Sequence, residues 1–485
     1  MSSSGPAAPA TRVVIVGGGI TGLAAAHRLA TLRPELPFVL LESRRRLGGN
    51  IVTERRDGFV LDAGPDSFLR TKPDALALCD ELGLRADLIT VRPEARTVYI
   101  AHDGRLERLP GGLALAVPTR IGPMLKTPLL GSLDKLRLLG DLVLPRRRNG
   151  SAQRDESIDA FVTRHFGRSA AQKLAAPLLG GIYAGDIAEL SILSTFPQLV
   201  DLEAKHGSLV RGFFAAQGSG AFGARNAREL ARWLLRGEQV AESPFCSLRE
   251  GMGSLVDALA ASLPRGSLHT DVEVVSLERR NGWHVKLAGG ETLTAAAVLL
   301  ATPAHIAARL APRGALGEAL AEIPYVSTAT IFFALDRGQV THPLDGLGFV
   351  VPSGEGQILA GTWISSKWDH RAPAGGALIR AFVGGTRASD LVERSDDAAL
   401  TALARAELER FMGPLGEPRF TRVFRYHRAN PQPVVGHAAR LVRLARLLET
   451  QPGLHVAGAA YQGVGIPDCV RQGRAAAERI VRDQP

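Results

Sequence analysis

Three glycines, Gly17, Gly19 and Gly22, stand in the run VVIVGGGITGLAAAHRL with the spacing G-x-G-x-x-G, and Glu42 follows twenty residues after the last of them. This is the pattern that holds a dinucleotide. The first glycine turns the chain sharply, the second lets backbone approach a pyrophosphate, and the third lets a helix pack closely on a strand. A carboxylate at the distance of Glu42 can accept hydrogen bonds from ribose hydroxyls. The surrounding residues supply the elements this chemistry needs. Residues 12–16 read as a short buried strand, Ile20–Leu32 as a helix with an apolar face, and Phe38–Leu41 as a second strand that ends at Glu42. The helix then presents unpaired N–H groups and its positive dipole end to the phosphates.

Beyond Glu42 the sequence SRRRLGGNIVTERRDGFVLDAGPDSFL places Gly48 and Gly49 after a basic cluster, residues 44–46, where a nicotinamide-binding fold would proceed to its next helix. Such a loop adds N–H groups on the far side of the pyrophosphate and suits a cofactor that stays bound. Near the end, GLHVAGAAYQGVGIPDCVRQGRAAAERIV reads as a strand over 454–457, a glycine loop, and a helix beginning near Pro467. A reduced flavin is negative on the N1 side of its ring, so a helix N-terminus aimed there favours the reduced form. A helix over 254–263 and strands over 272–277 and 297–301 complete this part. Short apolar runs over 327–335, 348–351 and 377–383 read as a separate sheet. Residues 112–198, rich in Leu, Ala and Arg and with a helix over 132–144, read as a helical cap. Within it, GIYAGD at 181–186 suits helix termination.

With 485 residues there is room for two or three domains, and a hydrophobic fraction of 45% with only 5% aromatics means that Ala, Val and Leu build the cores. The net charge of +10 comes from arginines dispersed in short clusters such as 44–46 and 146–148, without a nucleic-acid module, so no nucleic-acid partner is expected. Cys79, Cys246 and Cys469 are odd in number and far apart, which fits a reducing compartment and neither a disulfide framework nor a metal site. Residues 1–10 read as a disordered tail rather than a signal peptide. A cytoplasmic location follows, with leucines and arginines of the cap permitting contact with the inner face of the membrane. No Ser-His-Asp set, fixed-spacing carboxylate pair or metal cluster emerges among the 12 histidines. His427 and His437 read as structural, and no catalytic base is assigned.

The glycine fingerprint, the Arg-x-Gly-Gly loop and the terminal glycine-helix segment resemble the flavin amine oxidase superfamily. GPDSFL, FLRTKP, LLGGIYAGDIAELSILSTFPQL, GTWISSKWDHRAPAGG and GVGIPDCVRQGRAA resemble, more closely, bacterial coproporphyrinogen III oxidases and their sister protoporphyrinogen oxidases. The resemblance implies an α/β fold in which a Rossmann-like FAD-binding domain is assembled from separated segments, residues 11–85, 249–305 and 421–485. A mixed-sheet substrate domain (86–111, 211–248 and 306–420) and a helical cap domain (112–210) complete it. FAD contacts carry over to Gly17, Gly18, Gly19, Ile20, Thr21, Gly22, Glu42, Ser43, Gly49, Asn50, Gly64, Pro65, Asp66, Ser67, Val274, Tyr426, Gly465, Ile466, Pro467 and Asp468. Tyr426 departs from the tryptophan that relatives carry in an Arg-Trp-His segment.

A porphyrinogen substrate has apolar faces and carboxylate edges, so its pocket needs apolar walls and fixed cations. Arg70, Lys72, Arg96 and Lys367 are the candidates. The reaction implied is hydride loss from a methylene bridge to the flavin while a pyrrole proton leaves to solvent, repeated over three flavin cycles. Each cycle is closed by oxygen with release of hydrogen peroxide, and a ferrochelatase is a partner for handover of the product. The first rival is protoporphyrinogen IX oxidation, in whose branch asparagine more often stands at the place of Asp66. An amine oxidase or carotenoid desaturase is a second, although an aromatic cage would find little material in 5% aromatics. A flavin-binding scaffold or sensor without turnover is the third.

Overall fold

A computed structural model describes residues 13–143, 155–216 and 243–483. The expected tail at 1–10, Arg12, the basic cluster 146–148 and residues 217–242 lie outside the described residues. The chain divides into two units, one comprising Met1–Thr90, Pro244–Pro324 and Ala439–Pro485, the other Val91–Ser243 and Tyr325–Ala438.

In the first unit, five strands pair in the order Leu268–His269, Phe38–Leu41, Val13–Val16, Ala297–Leu300, Leu454–Val456. All neighbours are parallel. Strands buried on both faces read as continuous apolar runs, and Val13, Val14, Ile15, Val298, Leu299 and Leu300 have no exposed surface. The chain passes from Val13–Val16 to Phe38–Leu41 on one side, while Ala297–Leu300 lies on the other. That reversal of strand order opens a crevice at the carboxyl end of Val13–Val16, where Gly17 begins. An antiparallel meander, Val274–Arg280, Gly282–Leu287 and Thr292–Ala295, belongs to the same unit.

The helix Ile20–Leu32 forms where its sequence pattern predicts and buries Ile20, Leu23, Ala24, Ala25, Ala26 and Leu29. The terminal helix, Ile466–Asp483, packs along it. At Gly473 a Cβ would lie 2.3 Å from the Thr21 carbonyl oxygen, so a side chain there would force the helices apart. Glycine inside a helix costs about 1 kcal/mol against alanine, and the close crossing is the physical reason for it here. Contacts advance together along the pair: Cys469 meets Thr21, Gly473 meets Thr21 and Ala25, and Glu478 meets Arg28. The two helices therefore run in the same sense and bring their N-termini to the same end.

The second unit holds a seven-stranded mixed sheet, in the order Phe420–Pro431, Tyr325–Asp336, Gly376–Gly384, Ala360–Trp363, Gly348–Val350, Val98–His102, Arg105–Arg108. Its core of Ile331, Phe333, Trp363 and Ile379 is joined by Leu400, Ala404 and Leu408 of the helix Asp397–Met412. The helices expected at 112–210 are present, but they fall in this same unit rather than in a cap of their own. They include a π-helical stretch, Ala171–Gly180, which contains Pro177. GIYAGD ends it: Ala184 is left-handed at φ 50°, the Gly185 N–H donates to the Gly180 carbonyl at 3.0 Å, and Gln432 Nε2 donates to the Tyr183 carbonyl at 2.9 Å.

Four boundaries differ from the sequence reading. Residues 86–90, 244–248 and 306–324 fall in the first unit, and residues 421–438 in the second. The last difference has a clear cause. Phe420–Pro431 is a twelve-residue strand whose backbone groups pair along Tyr325–Asp336, with Tyr426 opposite Thr328. Backbone pairing on that scale decides where the segment goes. No helix among the described residues is long and apolar enough to cross a membrane.

Candidate functional site

The fingerprint glycines have different reasons for being glycine. Gly17 has φ 109°, and a Cβ there would lie 2.8 Å from the Ala301 carbonyl oxygen. At Gly22 a Cβ would lie 2.0 Å from the Gly17 carbonyl oxygen. The chain itself demands both. Gly19 has an ordinary φ of −73°, and a Cβ there would meet nothing nearer than the Gly49 Cα at 3.9 Å. Packing within the chain does not require glycine at this position, and the space before it is open. Gly19 provides no side-chain cap and the first helical turn holds no acidic residue, so nothing within the helix itself offsets its positive end.

The second glycine loop stacks on the first. The Gly48 N–H donates to the Gly18 carbonyl at 2.8 Å, Gly19 and Gly48 form a parallel bridge, and both Gly48 and Gly49 have positive φ. Glu42 is buried beneath them. Its Oε2 accepts the Gly18 N–H at 2.7 Å and its Oε1 accepts the Arg44 N–H at 3.0 Å, with Ser43 Oγ at 3.4 Å. The carboxylate read as a ribose acceptor therefore also braces the glycine turn. Residues 269–272 flank it, the Glu42 N–H donating to His269 and the Val272 N–H to Glu42, and Val274 follows in the meander of the same unit. Asp66 is buried, accepts from Ser67 Oγ at 2.9 Å, and offers its carbonyl to Ser247 Oγ at 2.7 Å.

At the start of the terminal helix, the glycines of GVGIPD make room for a carboxylate. A Cβ on Gly463 would lie 2.7 Å from Asp468 Cγ, and one on Gly465 would lie 3.1 Å from Asp468 Oδ2. Lys72 Nζ donates to both oxygens of Asp468, at 2.8 and 2.6 Å. Lys72, read as an anchor for substrate carboxylates, thus already holds a carboxylate of its own chain. Gln472 was missed by the sequence reading: buried one turn after Asp468, it accepts the N–H groups of Gly458 and Gln462 at 3.4 Å each and ties the glycine loop to the helix. Its polar side chain inside an otherwise apolar stripe, Ile466, Cys469, Gly473, Ala476 and Ile480, was the available signal.

The remaining candidates divide between the units. Arg70 is an exposed residue of the first unit, its N–H bonded to the Pro244 carbonyl at 2.8 Å. Arg96 and Lys367 belong to the second, where the turn carrying Arg96 bonds to Lys367 through the Arg92 N–H and the Lys367 carbonyl at 3.1 Å. Lys367 Nζ stands 5.0 Å from the centre of the Trp368 ring. Tyr426, expected among the FAD contacts, is in the second unit and not in the unit of the fingerprint. His427 Nδ1 lies 2.9 Å from a Glu393 carboxylate oxygen, and His437 is buried. Where the sequence shows no metal cluster, the fold gathers His102, Asp103 and Glu355 with potential ligand atoms within 4.8 Å of one another, and Asp103 among them is exposed. Burial pushes the Cys79 thiol up to about 12 and those of Cys246 and Cys469 to about 11, so all three stay protonated.

The open approach at Gly19, two stacked glycine loops and two helix N-termini at one end fit a bound dinucleotide with a long phosphate bridge. Residues 20–481 match the family model for flavin containing amine oxidoreductases. A Bacillus subtilis coproporphyrinogen III oxidase is 34% identical over 96% of this chain and 96% of its own. One from Propionibacterium freudenreichii is 36% identical over 98% and 92%. A solved structure from Exiguobacterium sp. 255-15, provisionally named a protoporphyrinogen oxidase, superposes with a TM-score of 0.85 at 33% identity, covering 98% of this chain and 99% of that one. The match in sequence and fold runs from the fingerprint to the terminal helix, and the chain belongs to the flavin-containing amine oxidoreductases, in their coproporphyrinogen III and protoporphyrinogen oxidase branch, as an FAD-dependent oxidoreductase.

Proposed function

We propose that the protein oxidises coproporphyrinogen III to coproporphyrin III in haem biosynthesis, with oxygen as the acceptor. The observation that carries this reading is the end-to-end similarity, at 34% and 36% identity, to two relatives named for that activity. FAD, when bound, supplies the two-electron acceptor for each of three successive oxidations, and three oxygen molecules take up the six electrons and leave as hydrogen peroxide. The chain's own residues bind and orient. Gly17–Gly22 and the Gly48–Gly49 loop cradle the phosphates, the N-termini of Ile20–Leu32 and Ile466–Asp483 supply positive potential, and Glu42 fixes the turn and faces the ribose. Arg96 and Lys367 of the second unit anchor carboxylates of the substrate as fixed cations. The pyrrole protons pass to solvent, so no side chain serves as general base.

In this reading the protein works in the cytoplasm or at the inner membrane face and hands its product to a ferrochelatase. Leu133 and Leu136, 82% and 64% exposed on the helix Ser132–Val143 beside Lys135 and Arg137, support a peripheral contact. Protoporphyrinogen IX oxidation is the second reading, favoured by the name of the Exiguobacterium structure. Steady-state oxidation of both porphyrinogens side by side, with peroxide measured, separates them. A higher kcat/KM for coproporphyrinogen III supports the first reading, and a higher value for protoporphyrinogen IX replaces it with the second.

A further inference from the structure

Lys72 and Asp468 are 396 residues apart in sequence, yet the ammonium meets both carboxylate oxygens. The Asp468 side chain is 11% exposed and that of Lys72 is 46% exposed. The carboxylate sits in a seat built for it, since a methyl group on Gly463 or Gly465 would collide with it or press on it. Arg471 approaches the same carboxylate at 3.8 Å. A surface ion pair of ordinary kind contributes about 0–1 kcal/mol and needs no such seat.

Its place in the fold gives the pair a role. Asp468 lies in the first turn of Ile466–Asp483, whose N-terminus stands at the same end as that of the fingerprint helix because the two helices run in the same sense past Thr21, Ala25 and Arg28. A lone carboxylate in that turn stabilises its helix but cancels the positive dipole end. An ammonium bonded to both of its oxygens restores the balance.

We propose that Lys72 neutralises Asp468 at the mouth formed by the two helix N-termini, so that the helix ends keep the positive potential that stabilises a reduced, negatively charged flavin. This rests on the flavin reading of the site and adds to it a residue that sets the cofactor's reduction potential without touching the reacting atoms. Lys72 is then a positioning and tuning residue, and its effect is present before any substrate arrives.

The test is the two-electron reduction potential of the purified holoprotein, without porphyrinogen and at low ionic strength, where surface charges are least screened. Lys72→Met leaves Asp468 with only the more distant Arg471 at 3.8 Å and lowers the potential, shifting the reduction equilibrium at least tenfold, which is about 30 mV for a two-electron couple. Asp468→Asn raises it, the Lys72→Met/Asp468→Asn double variant returns towards the parent, and Lys72→Arg stays near the parent. Should Lys72→Met fail to retain flavin, the rise in Asp468→Asn and the constancy of Lys72→Arg decide alone. Flavin-loaded variants with the parent's potential, or single variants that shift it in the same direction, overturn the proposal while leaving the flavin site intact. A parent protein that carries no flavin overturns both.

Discussion

The carboxylate of Glu42 accepts the Gly18 N–H at 2.7 Å, joining the end of the second strand to the middle of the glycine turn. A charge-assisted hydrogen bond of this kind contributes about 1.5–3 kcal/mol. Glu42→Ala therefore loosens the turn and weakens FAD retention by roughly ten- to a hundredfold, since about 1.4 kcal/mol is a factor of ten. Glu42→Gln keeps an acceptor oxygen for Gly18 and loses less. Equilibrium titration of the apoproteins with FAD, followed by flavin fluorescence, measures both, and a Glu42→Ala affinity equal to that of the parent sinks the assignment.

Gly19 and Gly22 separate cofactor binding from folding. Gly22→Ala places a methyl 2.0 Å from the Gly17 carbonyl oxygen, so the apoprotein itself melts earlier. In Gly19→Ala the added methyl meets only the Gly49 Cα at 3.9 Å, at a backbone angle alanine adopts readily. Its apoprotein keeps the parent Tm while FAD affinity falls. A Gly19→Ala variant that binds FAD as tightly as the parent would show that the space belongs to something else.

The local part of the site was legible because local chemistry made it. Helix Ile20–Leu32 has its sequence-predicted limits, since the glycine turn, the apolar face and the strands on either side all specify one unit. What could not be read depends on distance in sequence. Nothing near Lys72 indicates Asp468, and nothing near Gly473 indicates Thr21, because each contact exists only once the terminal helix lies along the first. The unit to which residues 421–438 belong was hidden for the same reason: it is set by a ladder along Tyr325–Asp336, a partner about a hundred residues away in sequence.

A buried cluster among the helices of the second unit predicts a pH dependence. His165 is fully buried, with Nδ1 2.5 Å from Asp141 Oδ1 and Nε2 3.3 Å from Glu203. Ser208 Oγ donates to Asp141 at 2.8 Å, and Arg164 bridges Glu203 and Glu156. Burial pulls the imidazole pKa down, but the bonds to Asp141 and Glu203 outweigh it and hold the pKa above 6.5. Burial likewise opposes ionisation of Asp141 and Glu203, and their bonds from His165 outweigh it, leaving Asp141 below its usual value and Glu203 at about 2.

The sign follows for each group. The raised His165 contributes fully below about pH 6.5 and loses its contribution as pH climbs through its folded value. The depressed carboxylates contribute fully above about pH 4.5 and lose their contribution as pH falls. The cluster is therefore strongest between these limits. Parent Tm should fall between pH 6.5 and 9 more steeply than that of His165→Gln, and Asp141→Asn at pH 6 should cost about 3–5 kcal/mol, the usual loss on breaking a buried pair. Identical Tm profiles for parent and His165→Gln would remove the cluster from any account of stability.

Substrate choice tests the cations of the second unit. Coproporphyrinogen III carries four carboxylates and protoporphyrinogen IX two, so an anchoring arginine discriminates between them in proportion to the carboxylates it engages. Arg96 is half-buried, four residues after Arg92, whose N–H donates to the Lys367 carbonyl at 3.1 Å. Arg96→Met keeps much of the length and removes the charge. The KM for coproporphyrinogen III should rise about tenfold or more, the loss of one charge-assisted hydrogen bond, while that for protoporphyrinogen IX changes less and the FAD content stays constant. Raising the salt concentration should narrow the parent's preference in the same direction by screening the anchor. Equal losses for both substrates would indicate general damage to the pocket, and no loss for either would return Arg96 to a purely structural role in its turn.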